Sequence, residues 1–360
     1  MRAITITPGA KNSVKMCDVP APKQEDACVT VRVVRTGLCG TDAEINAGIY
    51  GEAPPGDKYL ILGHENFGVV ERAGAAADGI KPGDYVVSTV RRPCGKCANC
   101  AAGEMDLCMT GDYTERGIKG KHGFMAERYT ESAEYLVKIP AACRDVGVLL
   151  EPMSIVEKGI DHTYLIQRRM VWRPRMAWAL GAGPVGLLAA AVLRTRGLEV
   201  FVAGREAESD PRAEIVRGLG AQYACVKGET LADLLKQTGK PDLIIEATGA
   251  SSVAFASMQL LAPNGVLCLL SVTGGHTSNA VPTDVINQDL VLRNNVVFGS
   301  VNANPRHFRK GVEDFEAIEE KWPGVLQRLI TTRLPWEKHS EWFNHQVTGI
   351  KTTLEISPDG

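Results

Sequence analysis

Met176-Ala177-Trp178-Ala179-Leu180-Gly181-Ala182-Gly183-Pro184-Val185-Gly186-Leu187-Leu188-Ala189-Ala190-Ala191-Val192-Leu193 runs for 18 residues without a charge, between Arg175 and Arg194. On a count alone this length raises the question of a membrane span. The glycines in its middle argue for a buried strand, a glycine turn and the start of a buried helix instead. Gly181-x-Gly183-x-x-Gly186 follows the strand that ends at Leu180 and opens a helix through Leu187-Leu188-Ala189-Ala190. In that setting the glycines permit a tight turn and close approach to a dinucleotide pyrophosphate, whose charge the helix N-terminus receives. Ala182, Pro184 and Val185 lie in the same turn and join the candidate cofactor contacts.

Downstream of this stretch, candidate strands at 198–203, 242–247, 266–271 and 296–301 alternate with helix-length segments such as 210–219 and 231–237. With 176–180 as the first strand, the alternation predicts a parallel, doubly wound α/β sheet. The second strand ends in Gly204-Arg205-Glu206. An NAD-binding sheet normally carries Asp or Glu at that strand end for the ribose 2′-hydroxyl, whereas a 2′-phosphate needs the carboxylate gone and a cation near. Gly204 and Arg205 therefore predict NADP, with NAD as the alternative because Glu206 is one residue away. Upstream, residues 1 to about 150 form short β-rich runs broken by turn residues, which predicts a largely antiparallel β domain. The last sixty residues fit neither pattern. The segment 167–175, Gln-Arg-Arg-Met-Val-Trp-Arg-Pro-Arg, is basic and aromatic and has no evident role.

The chain has 360 residues, enough at roughly 150 per domain for two or three domains. Hydrophobic residues at 44% and charged residues at 23% exclude disorder for the bulk of it. A net charge of -2 leaves no basic field for nucleic acid or an anionic membrane. The N-terminal residues lack a basic region followed by an apolar stretch and a cleavage site, so secretion is not indicated. The reading is a cytoplasmic, reducing environment in which the ten cysteines are thiols or metal ligands.

Cys94, Cys97, Cys100 and Cys108 have the spacing C-x2-C-x2-C-x7-C. Four thiolates brought together by tight turns form a closed tetrahedral set for structural zinc. An iron–sulfur loop begins similarly but has a shorter last gap and ends in Cys-Pro, whereas Met109 follows Cys108. Cys17, Cys28, Cys143, Cys225 and Cys268 read as small buried hydrophobes. Cys39 lies in a small-residue bend directly after a strand. His64 and Glu65 follow the apolar run 59–62, and Glu151 follows Val148-Leu149-Leu150. Convergence of Cys, His and Glu would make a three-ligand set with a fourth position open, the arrangement of catalytic zinc; spacing alone leaves that convergence undecided.

Gly37-Leu38-Cys39-Gly40-Thr41-Asp42, Gly63-His64-Glu65 and the four-cysteine loop, followed by the glycine turn, resemble the zinc-containing medium-chain dehydrogenases over essentially the whole chain. The stretches 113–124, 151–158 and 299–304 are most similar to the zinc-dependent glucose dehydrogenases. The resemblance implies a GroES-like catalytic domain at 1–160 and 300–360, split in sequence around a Rossmann NADP-binding domain at 161–299. It implies two zinc ions per chain. Cys39, His64 and Glu151 would hold the catalytic ion, with Glu65 a carboxylate that exchanges with water as ligand. Thr41, Glu115, Glu151 and Asn302 would contact sugar hydroxyls, and Leu270, Ser271, Val272, Ser300, Val301 and Asn302 the nicotinamide side. The implied activity is oxidation of the C1 hydroxyl of an aldose, D-glucose or a relative such as D-galactose, with Thr41 passing the proton outward through Glu65 or water. A homodimer or homotetramer is implied as well. Judged without the resemblance, Glu115 and Arg116 read as a surface pair, Glu157 and Lys158 as a solvated helix face, and Asn302 as a turn residue. The relay histidine of alcohol dehydrogenases is missing, since Asp42, Ala43, Glu44 and Ile45 stand there. The competing readings are a polyol or secondary alcohol dehydrogenase of the same superfamily and a non-catalytic NADPH-binding protein.

Overall fold

A computed structural model describes residues 1–23, 28–75, 77, 79–228, 230–274 and 276–358. Contacts divide the chain into one unit made of Met1–Ser154, Asn302–Val312 and the segment from Ile330 onward, and a second made of Ile155–Val301 and Glu313–Leu329.

The first unit is built on the strand Val29–Gly37, whose Val29, Val31 and Val33 are fully buried. Alternating β-branched residues of this kind suit a pleated sheet packed over a core. The strand pairs antiparallel with Glu65–Arg72, Arg128–Glu131 and Lys351–Glu355, and the sheet extends to Tyr85–Ser88 and Leu136–Ile139 on one side and Ile330–Pro335 on the other. The last part of the chain thus belongs to the N-terminal sheet, which is why it matched neither local pattern. Register brings Gly37 opposite both Glu65 and Thr353. A Cβ at position 37 would lie 1.8 Å from Glu65 Oε2, so only glycine admits that carboxylate.

The second unit is a six-stranded parallel sheet. Its strand order is Gln222–Cys225, Glu199–Gly204, Met176–Leu180, Leu243–Glu246, Val266–Leu269 and Val296–Gly299. The order of a doubly wound nucleotide fold follows, including the strand Gln222–Cys225, whose half-buried Gln-Tyr-Ala-Cys carries little apolar signal.

The unit boundaries differ from the expected 160/161 and 299/300. The helix Leu150–Gln167 gives its first turn to the first unit and the rest to the second. The segment 313–329, expected with the C-terminal part of the catalytic domain, lies in the cofactor unit. The physical reason is a buried ion cluster: Arg196 donates to both carboxylate oxygens of Asp314 at 2.9 and 2.7 Å and to Glu157 at 3.3 Å. Glu157 is accordingly no solvated face residue, and neither is Lys158, whose ammonium is buried and donates to the Val301 carbonyl at 2.9 Å. The basic segment 167–175 is tethered at several points. Gln167 donates to the Asn264 carbonyl, Arg169 to the Asn294 carbonyl at 2.6 Å, and Trp172 packs edge-on against Tyr164.

Of the scattered cysteines, Cys143 and Cys268 are buried as expected, while Cys17, Cys28 and Cys225 are only half-buried. No helix among the described residues is long and apolar enough to cross a membrane.

Candidate active site and cofactor site

The strand Val29–Gly37 ends at a glycine, and the chain turns through Leu38 into the short helix Gly40–Asn46 with Cys39 at its N-cap. The Asp42 carboxylate accepts from the Cys39 backbone N–H at 3.0 Å, fixing the cysteine at the mouth of the turn. Across the sheet, Gly63 (φ +90°) precedes His64 at the start of the strand Glu65–Arg72. A Cβ on Gly63 would sit 2.6 Å from Met125 Cγ. These two turns bring Cys39, His64 and Glu65 together, with one ligand atom from each lying within 4.8 Å of the others.

All three ligand candidates lie beside unsatisfied buried oxygen and nitrogen atoms. His64 Nδ1, Glu65 Oε2 and Asp42 Oδ1 have no hydrogen-bond partner among the described residues. Buried polar atoms normally find one, so a soft thiolate, an imidazole and a carboxylate left open in one place fit a zinc ion. Asp42 Oδ1 faces His64 Nδ1 at 3.7 Å, too far for a hydrogen bond but close enough for Coulombic attraction. Burial opposes the imidazolium, yet Asp42 and Cys39 outweigh it and hold the His64 pKa well above its ordinary value.

Glu151, in the first turn of its helix, lies outside the tight set of three but within reach of their charges. Burial, opposed by His64 and Lys351 and reinforced by Glu65 and Asp42, pushes its carboxyl up to about 7. Glu65 is 1% exposed, and its other oxygen accepts from Lys351 Nζ at 2.5 Å. That burial removes it as an exit for protons to water.

The four-cysteine lobe converges as its spacing implies. One sulfur from each of Cys94, Cys97, Cys100 and Cys108 lies within 4.8 Å of the rest, and Cys97 and Cys100 approach to 3.3 Å, far beyond the roughly 2.05 Å of a disulfide. Gly95 and Gly103 both hold positive φ, +72° and +82°, in the turns that fold the loop back. Hydrogen bonds from Thr110 and from backbone amides lower the Cys94 thiol to about 6, while burial and neighbouring sulfurs raise Cys100 to about 12. Crowded thiols that repel one another when ionised are what a dication stabilises.

In the second unit a cavity of about 870 Å³ opens at the carboxyl ends of the strands, lined by Gly181, Ala182, Gly183, Gly204, Arg205 and Thr248 among others. Gly181 (φ +102°) and Gly186 have no room for a side chain, since added Cβ atoms would meet the Ala247 carbonyl at 2.7 Å and the Gly181 carbonyl at 1.8 Å. Gly183 differs: a Cβ there would meet nothing within 4 Å. It keeps open the space in front of the helix Pro184–Thr195, where a pyrophosphate fits. At Gly204 the position of a ribose-binding carboxylate is taken by Tyr223, whose hydroxyl would be 2.3 Å from a Cβ. The Glu206 carboxylate is turned to the Arg205 backbone N–H at 3.1 Å. Pro184 and Val185 start the helix without lining this cavity. Leu270, Ser271 and Val272 follow one strand end and Ser300 and Val301 another, with Val272 and Val301 exposed.

The residues assigned to sugar contact lie in the first unit. Asn302, in a left-handed conformation (φ +63°), donates from its amide to Glu115 Oε1 at 2.6 Å. Arg91 donates to the same oxygen at 3.0 Å and stacks over Tyr113. The Glu115–Arg116 surface pair does not exist. Arg116 is buried and pairs instead with Glu131 at 2.7 Å, together with Arg92. Burial raises the Glu131 carboxyl, but the two guanidinium groups win and hold it down to about 2.

Residues 25–141 match the alcohol dehydrogenase GroES-like domain, and residues 144–356 match the glucose dehydrogenase C-terminus. The chain belongs to the glucose dehydrogenase family. A glucose 1-dehydrogenase of Methanocella arvoryzae is 46% identical over 99% of both chains, and one of Thermoproteus tenax is 40% identical over 99% of both. Among solved structures, the Haloferax mediterranei glucose dehydrogenase in complex with NADP, zinc and gluconolactone superposes with a TM-score of 0.89 at 35% identity, covering 99% of this chain and 100% of that one.

Two further buried residues, Lys351 and Glu246, stand in no local motif. Lys351, buried in the strand Lys351–Glu355, donates to Glu65 and to the Leu38 carbonyl at 3.0 Å, holding both sides of the metal site. Glu246, buried at a strand end, accepts from the Thr248 backbone N–H at 2.7 Å and from the Ser271 hydroxyl at 2.5 Å, and so orders two loops beside the strand ends. Neither residue stands in a recognisable local spacing. Lys351 opens its strand and Glu246 closes its own, the places where charged residues ordinarily meet water, so nothing local marked either as buried.

Proposed function

We propose that this protein is a zinc-dependent, NADP-preferring glucose 1-dehydrogenase that oxidises the C1 hydroxyl of D-glucose or a closely related aldose to the lactone. The observation that carries this reading is the convergence of Cys39, His64 and Glu65, with the buried Glu151 carboxyl within reach of their charges. Cys39, His64 and Glu151 would hold the catalytic ion, with Glu65 as the exchangeable carboxylate, and Cys94, Cys97, Cys100 and Cys108 would hold a structural one. Bound zinc supplies a Lewis acid that lowers the cost of ionising the sugar hydroxyl, and NADP accepts hydride.

The remaining work falls to this chain's own groups. Asn302 and Glu115, already joined, present fixed amide and carboxylate partners to sugar hydroxyls. An epimer that fails to match them leaves a buried group unpaired, which is how polar pockets discriminate. Thr41, two residues after Cys39, takes the proton of the C1 hydroxyl. Gly204 leaves no carboxylate against the ribose, and Arg205 meets the 2′-phosphate. Arg205→Ala should therefore raise the KM for NADP about tenfold, the equivalent of one charge-assisted hydrogen bond at an exposed site, with NAD kinetics unchanged. Equal losses with both cofactors would remove Arg205 from phosphate recognition.

The sheet of the second unit ends in the strand Val296–Gly299, beside which the helix Thr283–Leu292 has no buried side chain and exposes Val285, Val291 and Leu292. An unpaired strand edge beside exposed apolar residues favours symmetric pairing with a second copy. We read the protein as a homodimer through this edge, and sedimentation giving only a 38.8 kDa species would overturn it. With five of the ten cysteines read as zinc ligands, the protein is read as belonging to a reducing cytoplasm.

The direct test is NADP reduction by the zinc-loaded protein across aldoses, polyols, simple alcohols and NAD. Turnover on D-glucose that a chelator abolishes is the expected result. Activity confined to a polyol or simple alcohol would discard Glu115 and Asn302 as sugar partners, and silence on every substrate with both zinc ions present would return the reading to a binding protein.

A further inference from the structure

A chain of three polar groups leads away from the metal site toward water, and the outer two, Glu44 and Tyr50, have no role in the functions assigned above. Thr41 and Glu44 stand one turn apart on the helix Gly40–Asn46, and Tyr50 follows on the next loop. Tyr50 Oη donates to Glu44 Oε2 at 2.7 Å, and the Thr41 hydroxyl is near enough to that phenol to ease its ionisation. Tyr50 is 38% exposed, so the pair reaches solvent. The other groups nearby are committed elsewhere. Asp42 caps the Cys39 N–H and faces His64, Ala43 has no polar group, and Glu65 is sealed behind Lys351.

We propose that Tyr50 and Glu44 carry the substrate proton from Thr41 to water, in place of the histidine that this helix lacks. The proposal rests on the reading of Thr41 as the group that receives that proton. When the C1–H bond breaks and its electron pair leaves as hydride to NADP, the O–H bond of the C1 hydroxyl also breaks and its electron pair closes the C1=O carbonyl. The released proton passes to Thr41 Oγ as the Thr41 proton moves to Tyr50 Oη and the phenol proton moves to the Glu44 carboxylate. Glu44 then exchanges it with water. Thr41 and Tyr50 end neutral, so no alkoxide or phenolate has to exist, and the Glu44 carboxyl hands the proton on.

The test compares Thr41→Ala, Tyr50→Phe, Glu44→Gln and the Tyr50→Phe/Glu44→Gln double variant in the full-length, zinc-loaded protein. Tyr50→Phe and Glu44→Gln should each lower kcat about tenfold with KM for glucose and NADP binding unchanged, because water replaces a relay member poorly but not at all in binding. The double variant should be no slower than either single one, as expected for members of one series, and the solvent deuterium isotope effect on kcat should rise in both. A small amine in the buffer should restore part of the Glu44→Gln rate. In the resting protein, Glu44→Gln should also ease ionisation of the Tyr50 phenol, read as ultraviolet absorbance against Tyr50→Phe, since burial and then Glu44 oppose that ionisation. Wild-type kcat and isotope effect in Tyr50→Phe and Glu44→Gln, with Thr41→Ala slow, would overturn the relay while leaving Thr41 in place. Wild-type turnover in Thr41→Ala would remove the catalytic role of Thr41 and the relay together.

Discussion

Replacing His64 with alanine should reduce kcat/KM for glucose by about three orders of magnitude or more. Lewis-acid stabilisation of a developing alkoxide is worth several kcal/mol, and about 4 kcal/mol corresponds to roughly a thousandfold in rate. The imidazole is 5% exposed and held between Cys39, Glu65 and Asp42, so no outside ligand can replace it readily. Metal analysis should fall from two zinc ions per chain to one, because the four-cysteine lobe shares no residue with this site. NADP affinity should stay at its wild-type value, since the dinucleotide cavity lies wholly in the other unit. Retained turnover with one zinc would show that the reaction does not use this site.

Lys351→Met should destabilise the first unit by about 3–5 kcal/mol, the usual result of removing one partner from a buried ion pair. The ammonium is 3% exposed and Glu65 1%, so neither charge has water to fall back on. Its removal strands Glu65 Oε1 and the Leu38 carbonyl at once. The expected signature is a lower urea midpoint for the metal-free protein, with a smaller loss when zinc is bound, because a metal contacting Glu65 would supply part of the missing charge. Lys351→Met combined with Glu65→Gln should recover most of the loss, as the stranded charge is then gone. A metal-free single variant as stable as wild type would mean that the Lys351–Glu65 contact does not hold the unit together.

Legibility in the sequence followed the range of the interactions. Gly181, Gly183 and Gly186 announce their turn because the requirement is a backbone one, met within six residues. The four cysteines do so because ligand geometry constrains their spacing within one loop. Cys39 and His64 were visible as polar residues at strand ends, yet their convergence depends on the register that sets Gly37 opposite Glu65, and register is not written in either strand alone. Lys351 left no trace, being a lysine in a five-residue strand whose partner stands 286 positions away. Glu157 and Lys158 misled for the opposite reason. Adjacent opposite charges on a helix normally face water, and here tertiary packing makes burial tolerable by bringing Arg196 to Glu157 and the Val301 carbonyl to Lys158.

The pairing of Val29–Gly37 with Lys351–Glu355 also sets a timetable. The Gly37 and Thr353 partners are separated by most of the chain, so at about 5–20 residues per second a ribosome needs roughly 15 to 60 s to deliver the second after the first. During that interval the edge of Val29–Gly37 waits uncovered and Glu65 has no counter-charge, while the parallel sheet of the second unit can already fold. A chain released early therefore can hold dinucleotide yet never assemble a settled metal site. Completion of synthesis and completion of the catalytic centre are, for this topology, nearly the same event.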